Sequence, residues 1–170
     1  MSAEPNVSAA VTTQANRDAT LKTFERIRVF QRGEQRAVHK PLLILYALGR
    51  LARGEARMVE FARMEGAFKQ LLTEFGPSSA GASRHYPFWH LATDDHGALW
   101  QLQGPAELLR RPSGATPNLG ELRSQHVQGG FAPELDARLR ADPVLVSQLA
   151  RRILDAHFPE TLHADLLDAV

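Results

Sequence analysis

The sequence predicts a compact, mainly α-helical single domain that carries a small β-hairpin, an α+β arrangement dominated by helix. Several stretches space their apolar residues at the helical period, while one central segment is aromatic and flanks a Gly-containing turn. No internal repeat or coiled-coil heptad runs through the chain. Its 170 residues, 44% hydrophobic and 23% charged, suit one ordinary globular domain with its own core.

Residues 1–16, MSAEPNVSAAVTTQAN, lack the basic start and apolar block of a signal peptide and read as a flexible leader. Residues 17–170 are then the domain. Asn16 is the expected N-cap of a helix over Arg17–Phe30, with Leu21, Phe24 and Ile27 on one face. Gln31–Lys40 is polar, holds Gly33 and reads as a basic loop. Pro41 suits the first turn of the next helix, PLLILYALGRLARG, which is apolar on most sides near its start and is expected at the centre of the core. Gly54 is its stop. Glu60–Phe75 gives an amphipathic helix with Phe61, Met64, Phe68, Leu71, Leu72 and Phe75 on one side, closed by Gly76-Pro77.

SSAGASRH then reads as a loop, and Phe88–Ala92 with Ala98–Leu102 reads as a hairpin around Thr93–Gly97. A short helical piece at Ala106–Arg110 and a loop, RRPSGATPN, follow. Helices are expected over Glu134–Ala141, Pro143–Phe158 and Thr161–Ala169.

The absence of cysteine excludes disulfide scaffolds and thiolate zinc sites and fits a cytoplasmic protein. Leu42–Leu48, the longest apolar run, is too short to cross a bilayer. Net charge is only +1, but it is unevenly spread. Lys and Arg outnumber Asp and Glu between Arg17 and Arg63, and the balance reverses from Pro133 to Val170. An anion-binding face in the N-terminal half is permitted, not required.

Catalysis finds little support. An HNH nuclease unit needs a general-base His, metal ligands and a supporting Asn or His, yet the only asparagines are Asn6, Asn16 and Asn118, none beside a suitable His pair. GxSxG, HExxH and GxxxxGK[ST] are all missing. The one metal candidate is the group His85, His90, Asp94, Asp95 and His96. Its last three members fall in an expected turn, where such residues are common for conformational reasons, and the turn reading is preferred. No cofactor is called for.

Two short segments are more unusual. Arg36-Ala37-Val38-His39-Lys40-Pro41 runs straight into a helix, whose N-terminal N–H groups make a ready anion site; a solvated loop is the alternative. Tyr86-Pro87-Phe88-Trp89-His90 is an aromatic–proline cluster. Phe88 or Trp89 belongs in the core, whereas Tyr86 and Pro87 are either core or an apolar surface ledge.

The blocks HKPLLILYALGRL, LLTEFGP, YPFWHLATDDHGALWQL, GGF and ILDAHFPETLHADLLDAV together resemble the sulfur-binding domain of type IV restriction endonucleases that cut phosphorothioate DNA. The similarity extends from about Leu21 onward. In that family the domain accompanies a separate HNH nuclease domain. The resemblance implies a helical recognition domain without nuclease chemistry of its own. It would dock in the major groove of phosphorothioate-modified double-stranded DNA and hold the sulfur in a shallow apolar pocket.

By the same resemblance the sulfur pocket falls on Tyr86, Pro87 and His90, the last a departure from the small residue expected there. The contacts to the modified phosphate fall on His39 and Lys40, and a supporting Arg-Ser pair on Arg123 and Ser124. Arg84 is a further phosphate contact, and Arg32 and Arg36 are candidates for reading guanine. A general DNA-binding or transcriptional domain indifferent to sulfur is the alternative, and a metal-dependent hydrolase built on the hairpin histidines ranks below both. Neither a membrane nor a metal is expected among the partners.

Overall fold

The computed structural model describes residues 7–27, 31–32, 35–36, 38–77, 79–112 and 114–170, with the side chains of residues 7–12, 31–32 and 35–36 outside the description. Helix α1 spans Val7–Glu25. It therefore begins well before Asn16, which sits inside the helix and is not its N-cap, and it ends before the predicted Phe30. Leu21 and Phe24 are its buried face, as the spacing predicted. Residues 28–30 of that prediction lie outside the described residues.

The expected basic loop contains a two-strand ladder. Strands β1 (Gln31–Arg32) and β2 (Gln35–Arg36) pair antiparallel, Gln31 opposite Arg36. Gly33 and Ala37 of that segment lie outside the described residues. Helix α2 follows over His39–Ala52, with Pro41 in its first turn, where a missing N–H removes no intrahelical bond. Leu42, Leu43 and Ile44 are fully buried on successive positions, the pattern of a helix covered on several sides. Helix α3 (Phe61–Phe75), helix α4 (His85–His90) and helix α8 (Pro143–His157) supply that cover. Beyond the end of α2, Gly54 adopts φ +73, a left-handed position that favours glycine.

The central segment departs from the predicted hairpin. Phe88–Ala92 is not a strand: α4 runs through His90, a 3-10 segment covers Leu91–Gly97, and a shorter 3-10 turn at Ala80–Ser83 replaces part of the expected loop before it. The period is helical, with Phe88 and Leu91 fully buried three residues apart. Strand β4 (Trp100–Gln103) finds its partner far along the chain in β5 (Gln128–Phe131), which also pairs with β3 (Val59–Glu60). The three form an antiparallel sheet in the order β3-β5-β4, with Trp100 opposite Phe131. The turn reading of Asp95-His96-Gly97 holds: φ values of 46, 55 and 82 place all three in the left-handed region.

Helices α5 (Ala106–Leu109), α7 (Pro133–Ala141) and α9 (His163–Ala169) lie where helix was expected, as does α8. Helix α6 (Leu119–Ser124) and β5 have no counterpart in the sequence reading. Asn118 closes a capping box on α6, its side chain accepting from Glu121 N while Glu121 accepts from Asn118 N. Among the described residues no helix is long and apolar enough to cross a membrane.

Gly129 explains how the sheet fixes α4. A Cβ there would lie 2.8 Å from Cε2 and Cζ of Phe88 and 2.9 Å from Trp100 Cζ2. The bare backbone lets Phe88 press onto β5, edge-on to Phe61 at 5.1 Å and to Trp100 at 6.0 Å. Phe88 is thus the root of α4, and the residues on the helix's other face are held in place by it.

Candidate nucleic-acid interface

Three elements meet around the start of α2. The first is the helix terminus itself. Val38 offers no side-chain cap and Pro41 carries no N–H, so the N–H groups of His39 and Lys40 head the helix dipole. The His39 ring Nε2 donates to the Ala80 carbonyl at 3.2 Å, tying the helix start to the 3-10 turn. Burial holds the His39 imidazole below its usual pKa, with the Ala80 contact opposing. Because Nε2 carries the proton, the neutral ring can offer only an acceptor at Nδ1.

The second element is α4. Tyr86 is 48% exposed, a large aromatic left open on the surface. It stands four residues before His90 on the same helical face, and the rings stack at 5.7 Å with 12° between their planes. His85 flanks it at 4.6 Å. His90 is hydrogen-bonded through Nε2 to Thr116 Oγ1 at 2.9 Å, which pins the ring from the loop before α6. Burial, then the Lys40 charge, depresses the His90 pKa; burial, then Arg84, does the same for His85. Tyr86 is therefore flanked by two imidazoles whose protonation is disfavoured by burial and neighbouring cations. Pro87, read from sequence as either core or part of an apolar ledge with Tyr86, is buried. The helical turn sends Pro87 toward the core and leaves Tyr86 and His90 outside.

The third element is ionic. Lys40 Nζ binds both oxygens of Asp94 at 2.8 and 2.7 Å, with side chains 16% and 2% exposed. Lys40, expected as a contact to the modified phosphate, has its charge balanced by a buried carboxylate. Two N–H bonds go to Asp94, so a third remains for a ligand. Asp95 is paired with Arg26 at 3.3 Å. Lys40 and Arg26 thus hold two carboxylates of the metal candidate, and no group of three or more His, Asp or Glu converges on an ion site among the described residues.

Arg84, read from sequence as a phosphate contact, is turned inward. Its side chain is 11% exposed, with NH1 donating to the Gly81 carbonyl at 2.8 Å and Nε to Glu65 at 3.2 Å. Arg123 grips the same Glu65 through Nε and NH2, yet remains 44% exposed. Ser124 Oγ makes only a 3.5 Å contact with the Glu121 carbonyl. Arg32 and Arg36 sit on the β1–β2 ladder that leads into α2, but their side chains lie outside the described residues. Sequence reasoning missed Glu65, Thr116 and the pairing role of Asp94, because each acts on a partner distant in the chain.

The model of the ScoMcrA-like DNA sulfur-binding domain matches residues 17–170. The chain belongs to that family. The sulfur-binding domain of ScoMcrA, solved complexed with phosphorothioated DNA, shares 24% identity and superposes with a TM-score of 0.75 over 86% of this chain and 94% of that one. The sulfur-binding domain of SprMcrA, also complexed with phosphorothioated DNA, gives 22% and 0.68 over 91% and 96%. The type IV phosphorothioation-dependent restriction endonuclease ScoMcrA matches at 26% and 0.65 over 78% of this chain, which spans 28% of the endonuclease. No curated protein matches the sequence. In this member of the family a helical core carries a three-stranded sheet, and α4, with its exposed Tyr86 ring, packs against α2.

Proposed function

We propose that the chain binds phosphorothioate-modified double-stranded DNA, with Tyr86 as the apolar wall that receives the sulfur. The observation that carries this is the exposed Tyr86 ring, stacked on a His90 that feels the Lys40 charge, on a helix packed against α2. Membership of the sulfur-binding family and the DNA complexes of ScoMcrA and SprMcrA support it.

Replacing a non-bridging phosphate oxygen by sulfur leaves the charge unchanged but makes that face larger, softer and less hydrated. Charge alone cannot tell the two apart. An apolar wall can, since it desolvates sulfur at little cost and strips an oxygen of its water hydrogen bonds. Lys40 and the first-turn N–H groups of α2 hold the remaining oxygen, joined by His39 where its ring is protonated at Nδ1. The penalty on oxygen is about 1–3 kcal/mol, roughly 5- to 150-fold in affinity. Pro87 stiffens the wall from beneath, and Arg123 with Ser124 contacts the backbone nearby. Arg32 and Arg36, on the ladder before α2, are the candidates for reading guanine. Cutting is assigned to a separate nuclease domain, such as the longer endonuclease relatives carry. A DNA ligand puts the working compartment in the cytoplasm.

The test is a fluorescence-anisotropy titration of two matched duplexes, one with a single phosphorothioate of defined configuration. The modified duplex binds tighter, and both lose affinity with salt at the same slope because their charges are equal. Equal affinities at every salt concentration would leave a general DNA-binding domain instead.

A further inference from the structure

We infer that Glu65 is a positioning residue for DNA binding: it aims Arg123 at the duplex backbone, using Arg84 as an internal strut. The inference rests on the DNA-binding reading above. Glu65 stands on α3, a scaffold helix rooted by Phe61, Met64 and Phe68 in the core, and its side chain is largely buried. One of its oxygens takes Arg123 Nε. The other takes Arg123 NH2 at 2.8 Å and Arg84 Nε at 3.2 Å. Arg84 is fixed in turn by the Gly81 carbonyl, one residue beyond the Ala80 carbonyl that takes His39. The 3-10 turn is therefore held by His39 on one side and Arg84 on the other. The network runs unbroken from the start of α2 to Arg123.

The chemistry of the cluster is unequal. Two guanidiniums share one carboxylate, so it keeps a net positive charge. Arg123 spends its Nε/NH2 edge on Glu65, which leaves NH1 and the outer N–H of NH2 as donors for a phosphate oxygen. A surface arginine normally gives up rotamer freedom on binding; this one is already ordered by a two-point carboxylate grip. The charges make a simpler view predict the opposite sign. A carboxylate on a DNA-binding face repels DNA, and its removal strengthens binding to any sequence.

The experiment is a double-mutant cycle of Glu65→Gln and Arg123→Gln, read as affinity for the modified and unmodified duplexes. Thermal melts confirm that each variant is folded. Glu65→Gln alone is expected to weaken binding about 2- to 10-fold, the scale of one immobilised side chain, and to have no further effect once Arg123 is Gln. If Glu65→Gln tightens binding, or acts equally with and without Arg123, the positioning role is wrong. Glu65→Asp, which keeps the charge but shortens the reach, separates the two views where Gln compromises folding: loss of affinity supports positioning, unchanged affinity overturns it. Should wild type bind both duplexes equally, the sulfur reading falls while the coupling on the unmodified duplex still decides Glu65. Absence of any DNA binding by the folded wild type overturns both.

Discussion

The Lys40–Asp94 pair yields an asymmetry that few surface ion pairs show. Asp94 is 2% exposed and accepts both bonds from an ammonium that is 16% exposed. Lys40→Met takes both of these bonds from a carboxylate buried in the interior, and removing one partner of a buried pair costs about 3–5 kcal/mol. Asp94→Asn strands an ammonium that can still turn toward water, so the loss is about 1.5–3 kcal/mol, the range for a hydrogen bond to a charged group. Urea denaturation of both single variants and of the double variant measures the three values. The double variant removes both members of the pair together and loses less than the sum of the two singles. The variants also separate in DNA binding. Asp94→Asn releases the Lys40 charge, which the proposed binding mode sets beside the modified phosphate, and is expected to tighten binding to modified and unmodified duplexes alike, with a steeper salt dependence. A Lys40→Met variant that loses less than about 1 kcal/mol, the scale of an exposed ion pair, would refute the claim that the pair is a buried structural unit.

Gly129→Ala drives a methyl to 2.8 Å from the Phe88 ring, which has no empty space to retreat into. Overpacking of this kind costs about 1–3 kcal/mol, or roughly 2–12 °C in Tm, and because Phe88 roots α4, DNA affinity falls with it. Both Tm and affinity unchanged would show that α4 is not seated on β5. The histidines give opposite pH trends for stability and binding. Burial lowers the folded-state pKa of His39, His85 and His90 below 6.5. Below that value the unfolded chain holds more protons than the folded one, so stability falls as pH drops through 6.5 and is fully present above it. DNA affinity moves the other way, since His39 must gain a proton at Nδ1 before it can donate to phosphate while Nε2 stays on Ala80. Denaturation from pH 8 to 5.5 checks the first trend; anisotropy over pH 8 to 6 with wild type and His39→Ala checks the second, which the variant should lack.

Long periodic segments were legible without coordinates. The strong apolar spacing of α2, α3 and α8 settled their type, and Pro41, Gly54 and Gly76-Pro77 marked the ends of α2 and α3 to within two residues. The central segment was misread because aromatic residues suit both strands and helices, and only the three-residue separation of Phe88 and Leu91 marks the helix. Strand β4 lacked its true partner in any local reading, since Leu102 pairs with Gly129. The β5 glycines carry no apolar signal of their own; their meaning is the ring and the backbone that press on them.

The site was legible in a similarly divided way. His39 and Lys40 at a helix start follow from sequence and helix physics. The Tyr86–His90 stack follows from an i,i+4 spacing that appears once α4 is known to be helical. Arg84 illustrates what sequence cannot supply: its charge suggested a phosphate contact, whereas burial and Glu65 turn it inward. Arg123 carries no stronger local signal yet is the exposed member of the same network.

The most direct measurement is the ratio of Kd values for the unmodified and modified duplexes, compared between wild type and Tyr86→Ala. A wild-type ratio of roughly 5–150 is expected, the reach of about 1–3 kcal/mol, collapsing toward unity when the ring is removed while binding to the unmodified duplex changes little. A ratio that survives Tyr86→Ala would place sulfur discrimination elsewhere on the domain and contradict the account.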